Sequence, residues 1–163
     1  MATLFITCGV PGAGKTTVAK RLEREHNALR LTPDDWLREL LPTQPTGVDA
    51  PTRAAIEELH WATARRALEI GCNVVLDYGL WGRSERDRFR SEAHALGAQV
   101  VLYFLDPSRE EVMRRLALRN ADLPAGTFHI AEQTIAEALA RFQRPTPEEL
   151  ALFDPAPPDV GSS

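Results

Sequence analysis

Short apolar runs and longer segments of helical period take turns along this chain. Residues 3–8, Thr-Leu-Phe-Ile-Thr-Cys, form a β-rich apolar run that predicts a buried strand. Residues 15–25 read as a helix ending near His26 and Asn27, where Asn suits a helix end. A second strand is expected at 28–31, then a helix at 34–41 stopped by Pro42. Residues 43–51 are rich in Pro, Thr and Gly and predict a loop, a candidate flap. Ile56, Leu59, Ala62 or Thr63, Arg66 and Ala67 step by three and four, which predicts a helix over 52–70 closed by Gly71.

The alternation continues to the other end. Residues 73–77, Asn-Val-Val-Leu-Asp, predict a third strand, apolar on both faces as in a parallel sheet. A helix follows at 84–96, with Phe89, Ala93 and Leu96 on one face. The run 99–105 predicts the fourth and most buried strand. Ser108-Arg109-Glu110-Glu111 is a capping box opening a helix to Arg119. Residues 120–128 read as a loop and 130–142 as a helix. Thr146 and Pro147 read as cap and first residue of another. Alternating strands and helices imply a parallel sheet with helices on both faces, and ligands there sit beyond the strand C-terminal ends. Residues 9–16, Asp34, Asp77 and Asp106 each follow a strand, so all are expected on one edge.

The chemistry starts at Gly9-Val10-Pro11-Gly12-Ala13-Gly14-Lys15-Thr16-Thr17, which fits Gly-x-x-x-x-Gly-Lys-Thr between a strand and a helix. Consecutive backbone N–H groups in such a loop, with the helix N-terminus behind them, surround a polyphosphate. Lys15 is placed to reach the β- and γ-phosphates and Thr16 to offer a hydroxyl to Mg²⁺. Gly9, Pro11, Gly12, Ala13, Gly14, Lys15, Thr16 and Thr17 are the expected nucleotide-binding set. The other reading is a glycine-rich turn carrying a solvated lysine.

Asp77 closes an apolar strand and is, with Thr16, the expected metal-site pair. Asp34 sits nearest the second strand end and is the candidate base. Asp35 projects about 100° from it, so one acid faces the phosphates and the other favours the helix start. Arg115 and Arg119 share a helix face, and Arg119 is the candidate cation for the transition state. The alternative for these arginines is a solvated face paired with Glu110 and Glu111. Tyr78 and Trp81, in an aromatic loop after Asp77, with Asp35, Trp36, Arg83 and Arg86, are the candidate acceptor residues. Trp61 reads as core, His60 and His94 as structural or exposed, His129 stays open, and no histidine is assigned to catalysis.

Length and charge narrow the setting. The chain has 163 residues, which suits one domain over 1–153, with 154–163 as a Pro/Gly/Ser-rich flexible tail. No apolar run reaches the roughly 18 residues of a membrane span, and the first strand leaves no room for a signal peptide. Cys8 and Cys72 are expected reduced, beside buried strands, in a cytoplasmic protein. A net charge of −4 argues against a general nucleic-acid binder.

Taken together, GVPGAGKTT, TPDDW, VVLDYG and the RRLALRN helix resemble the small P-loop kinases that include polynucleotide kinase, zeta toxins and chloramphenicol phosphotransferase. The Phe-x-x-Pro-x-x-x-Glu spacing of RFQRPTPEEL is similar to that group as well. The resemblance implies an α/β P-loop NTPase fold of AAA type, three layers around a parallel sheet of about four to five strands. It implies ATP and Mg²⁺ as cofactors, Lys15 and Thr16 holding ATP·Mg, Asp34 as general base and Arg119 as an active-site arginine. Polynucleotide kinases carry Arg three residues after that aspartate; this chain has Leu37 there, and Arg38 follows. The expected function is transfer of the γ-phosphoryl group of ATP to a hydroxyl of a small molecule. The alternatives are a polynucleotide 5′-hydroxyl kinase and a nucleotide-hydrolysing switch.

Overall fold

The computed structural model describes residues 1–41, 49–121 and 132–157. Its framework is a sheet of four parallel strands in the order β2-β3-β1-β4: β1 Thr3–Cys8, β2 Leu29–Leu31, β3 Val74–Leu76 and β4 Gln99–Phe104. Between the strands run α1 (Lys15–Glu25), α2 (Pro33–Leu40), α3 (Ala50–Glu69) and α4 (Arg83–Ala95). After β4 come α5 (Arg109–Ala121), α6 (Glu132–Arg141) and the short α7 (Pro147–Leu150).

Side-chain alternation along the strands builds the layers. Phe5, Val75 and Val101 lie side by side in register and pack on Ala19 and Leu22 of α1. Leu4, Val74 and Val100 point the opposite way, onto Trp61, Ala64 and Leu68 of α3 and Phe89 and Ala93 of α4. A third apolar group joins Val10 and Ala13 to Val112 and Leu116 of α5 and Ile135 of α6, so the last helices pack against the loop that follows β1. The result is the three-layer P-loop NTPase fold.

The structure amends several sequence expectations. The wholly buried strands are the two interior ones, β1 and β3; β4, expected to be the most buried, is an edge strand with four of its six residues half-buried. An apolar run reports burial of two faces and carries no information on which strands flank it. Helix α3 starts at Ala50, so Pro51 opens the helix; Asp49 caps it by accepting from Thr52 N at 2.7 Å. Cys72 is exposed in a turn, while Cys8 is buried. Asp154, placed in the tail, is fastened to β4: its Oδ2 accepts from Val100 N at 2.7 Å and meets His94 Nε2 at 2.9 Å. Most of the two loops expected over 43–51 and 120–128, with His129 and residues 158–163, lie outside the described residues.

Candidate active site

Because the strands are parallel, the chain leaves each at the same sheet edge, and a cleft of about 640 Å³ opens there. After β1 the backbone turns through Gly12 (φ 81°) and Gly14 (φ 98°), left-handed conformations that favour glycine. Gly12 has a second constraint: a Cβ would meet Leu116 Cγ at 3.1 Å. Pro11, Gly12, Gly14, Lys15, Thr16 and Thr17 line the cleft. Gly9 and Ala13 lie behind it. Gly9 N donates to Gly79 O at 3.1 Å, and Ala13 packs on α5. Lys15 is folded back, its Nζ donating to Val10 O at 2.9 Å. Burial pushes its pKa down to about 8, opposed chiefly by Asp77 and then Cys8 and Asp34.

The other walls come from distant segments. Asp77, just past β3, is buried; its Oδ2 accepts from Thr32 Oγ1 at 3.2 Å, with Arg30 Nη1 at 3.7 Å. Burial pushes its carboxyl up, while Thr16, Arg30, Lys15 and Thr32 draw it back. Arg30 also holds Glu23 of α1 at 3.0 Å and Asp35 of α2 at 3.2 Å, so one guanidinium ties the second-strand side of the cleft together. Asp34 lines the cleft, and Arg53 Nη1 donates to its Oδ1 at 3.0 Å; Arg53 Nε also meets Glu57 at 3.2 Å. Arg119 of α5 reaches the same cleft, and its buried Nε has no hydrogen-bond partner among the described residues. The Thr16 hydroxyl and the Asp77 carboxylate are a hard-oxygen pair of the kind Mg²⁺ accepts. That ion keeps most of its waters and needs few protein ligands, so the residues present fit it.

Known proteins share the sequence pattern and the fold that carry this cleft. The AAA domain family matches residues 4–145. The chain belongs to this family. Among curated relatives, the guanylate kinase of Alkalilimnicola ehrlichii is 28% identical over 160 residues, covering 85% of this chain and 73% of the relative. Kti12 of Chaetomium thermophilum, solved with ADP-AlF3, superposes with a TM-score of 0.68 at 18% identity, over 89% of this chain and 82% of its own. A chain of the Pnkp1/Rnl/Hen1 RNA repair complex gives a TM-score of 0.70 at 23% identity; the match takes in 99% of this chain and half, 50%, of that one. At these identities the two structures share its fold. The resemblance to small P-loop kinases agrees with both kinds of comparison.

In this AAA-domain chain the expected acceptor residues separate. Trp81 lines the cleft, and its buried indole N–H has no hydrogen-bond partner among the described residues. Tyr78 faces the core, its hydroxyl on His60 Nδ1 at 3.1 Å. Trp36 meets the edge of the same histidine, ring centroids 4.5 Å apart, outside the cleft lining. Asp35 is taken by Arg30 and Arg38. Arg83 is exposed and pairs with Asp87 at 3.5 Å. Arg86 is enclosed against Glu149, each side chain 1% exposed, and is closed to any acceptor. Helical phase puts it on the buried face of α4 with Phe89 and Ala93.

Other lining residues carry weak sequence signals. Arg53 and Glu57 are an i,i+4 pair on α3, a spacing also common on solvated faces. Glu85 lines the cleft from the first turn of α4, where its Oε2 also accepts from Gly82 N at 3.1 Å. Arg115 has a solvated, glutamate-paired face as one of its two sequence readings. It does pair with Glu111, at 2.6 Å, but its Nη1 also donates to Ala13 O at 3.1 Å, clamping the phosphate loop to α5.

Proposed function

We propose that this protein is an ATP-dependent phosphotransferase acting on a hydroxyl of a small molecule. One observation carries the reading: Lys15, Thr16, Asp34, Asp77 and Arg119, brought from four separate segments, line one cleft. A phosphoryl-transfer centre needs a phosphate cradle, an acid beside the metal position, a base and a cation for the migrating group, and these residues supply that set. Mg²⁺, held by Thr16 and Asp77, supplies neutralisation of β- and γ-phosphate charge when bound.

The chain's own groups do the rest. The backbone from Gly12 to Thr16 and the start of α1 donate to the phosphates. Lys15 leaves the Val10 carbonyl and turns to the γ-phosphate. Asp34, held in orientation by Arg53, accepts the proton of the acceptor hydroxyl at a carboxylate oxygen as that hydroxyl attacks in line. Arg119, whose Nε has an open donor, meets the charge spreading over the migrating group. Catalysis here is mainly positioning and electrostatics.

The acceptor end favours a small molecule. Among the described lining residues, Asp34, Glu57 and Glu85 gather around Arg53, and Trp81 lines the same cleft. Carboxylates in that number repel a phosphodiester backbone, whose binding relies on cations. The fold shared with the RNA repair complex supports the second reading, a polynucleotide 5′-hydroxyl kinase. Asp34→Asn tests the core of the proposal. MgATP affinity by calorimetry stays near wild type while kcat falls by about 10² or more, the size of a lost general base. Unchanged turnover in that variant removes Asp34 from the mechanism; a crippled Asp35→Asn in its place moves the role to Asp35.

A further inference from the structure

The most enclosed charged pair among the described residues, Arg86 with Glu149, takes no part in the mechanism above. Arg86 Nε donates to Glu149 Oε1 at 2.6 Å and Nη2 to Oε2 at 3.0 Å, a two-pronged pair. A buried ion pair is a poor source of net stability, since desolvation offsets the attraction. The remaining donors of the guanidinium show a different use. Nη1 donates to Leu80 O at 2.9 Å and Trp81 O at 3.3 Å, and Nη2 to Gln143 O at 2.8 Å. Gln143 N in turn donates to Trp81 O at 2.8 Å.

Those carbonyls belong to the wall of the cleft. Leu80 and Trp81 both line it. Leu80 holds a left-handed backbone, φ 43°, which a leucine adopts only when its surroundings impose it. Arg86 Nη1 and Cys8 Sγ, at 3.5 Å, both bond the Leu80 carbonyl and hold it there. Trp81 lies directly on Gly79, where a Cβ would stand 2.6 Å from the indole Nε1. The Phe142, Pro145 and Glu149 spacing noted in the sequence thus delivers one carboxylate to the back of this wall. Thr146 caps α7 by accepting from Glu149 N at 3.2 Å and fixes where that carboxylate starts.

We infer that Arg86, anchored by Glu149, is a positioning residue for the acceptor: it holds the Leu80–Trp81 wall in the shape that receives the hydroxyl-bearing molecule. The acceptor part rests on the function proposed above; the placement of Trp81 does not. Arg86 stands behind the wall and touches no reacting atom. The C-terminal segment contributes to acceptor recognition without lining the cleft.

The test uses the full chain with 5-fluorotryptophan at its three tryptophans, the ¹⁹F resonances being assigned by single Phe substitutions. Arg86→Lys keeps a cation against Glu149, but one ammonium cannot replace the planar fork that serves three carbonyls. The Trp81 resonance is expected to move or split, those of Trp36 and Trp61 to stay, and unfolding to remain cooperative. Gly79→Ala, which displaces Trp81 directly, sets the size of the response. MgATP affinity is expected within about twofold of wild type. A Trp81 resonance at its wild-type position in folded Arg86→Lys overturns the inference, as do three resonances shifting together. If Arg86→Lys unfolds, Glu149→Gln is read in the same way; if both unfold, the pair is a core brace and the inference falls. Failure of the wild type to bind MgATP removes the proposed kinase but leaves the Trp81 comparison intact.

Discussion

Lys15 shows how far a single side chain can be read. Its identity follows from the loop pattern, and its burial follows from packing between loop and sheet. Its ammonium donates to Val10 O, and in the proposed mechanism a phosphate draws it from there. Lys15→Ala is expected to weaken MgATP binding and abolish turnover, and unchanged affinity by calorimetry removes the site. His60 makes a different prediction. It is fully buried between Trp36 and Tyr78, and burial pushes its pKa down to about 4. The unfolded chain binds a proton near pH 6.5 that the folded one refuses, so stability is whole above 6.5 and is lost as pH falls towards 4. Between pH 7 and 5 that loss is about 1–2 kcal/mol. In His60→Phe the dependence is expected to flatten over this window, read from thermal midpoints; an equally steep fall in the variant assigns it to other groups. Neither the partner nor the burial of His60 was visible in its helical position. The Tyr78 hydroxyl comes from the segment after β3, and spacing along one helix contains nothing about it.

At the scale of elements, what was legible was local. The strand, glycine loop and helix at the start, the Thr146 cap of α7 and the helix stops at Gly71 and Gly97 depend on neighbours a few residues away. What the sequence left open depends on distance. Strand order put β4 at an edge, and 63 residues separate Arg86 from Glu149, a contact no period encodes. The Ser108 box came out half-made: Ser108 Oγ accepts from Glu111 N at 3.2 Å, while Glu111 turns its carboxylate to Arg114 and Arg115. That diversion matters, because Arg115 then holds Ala13 O and joins α5 to the phosphate loop. Gly12 sits in the same seam under Leu116. Gly12→Ala adds a left-handed residue and a crowded Cβ, a cost of about 1–3 kcal/mol. A lowered thermal midpoint and weakened MgATP binding are expected together; a variant with unchanged midpoint and affinity contradicts this account of the seam.

At the scale of the molecule, the parallel sheet gathers groups that the chain keeps far apart. Asp34, Asp77 and Lys15 follow three strands, and Arg119 arrives on the helix after the fourth. The expectation of a shared edge needed only strand direction, which βα alternation supplies. The acceptor needs side-chain directions around the rim, and there four of six expected residues turned to other partners and a fifth, Trp36, stayed outside the lining. Under the proposed function, the charge gathered there among the described residues, Asp34, Glu57 and Glu85 beside Arg53, favours a small acceptor over a polynucleotide.

One experiment tests the central claim most directly. The protein is incubated with MgATP labelled at the γ-phosphate and separate pools of sugars, nucleosides, hydroxylated antibiotics, guanylate and 5′-hydroxyl oligonucleotides. The account predicts label in a small hydroxyl-bearing compound with the wild type and none with Asp34→Asn. Label confined to oligonucleotides or guanylate, or phosphate released with no pool labelled, contradicts it.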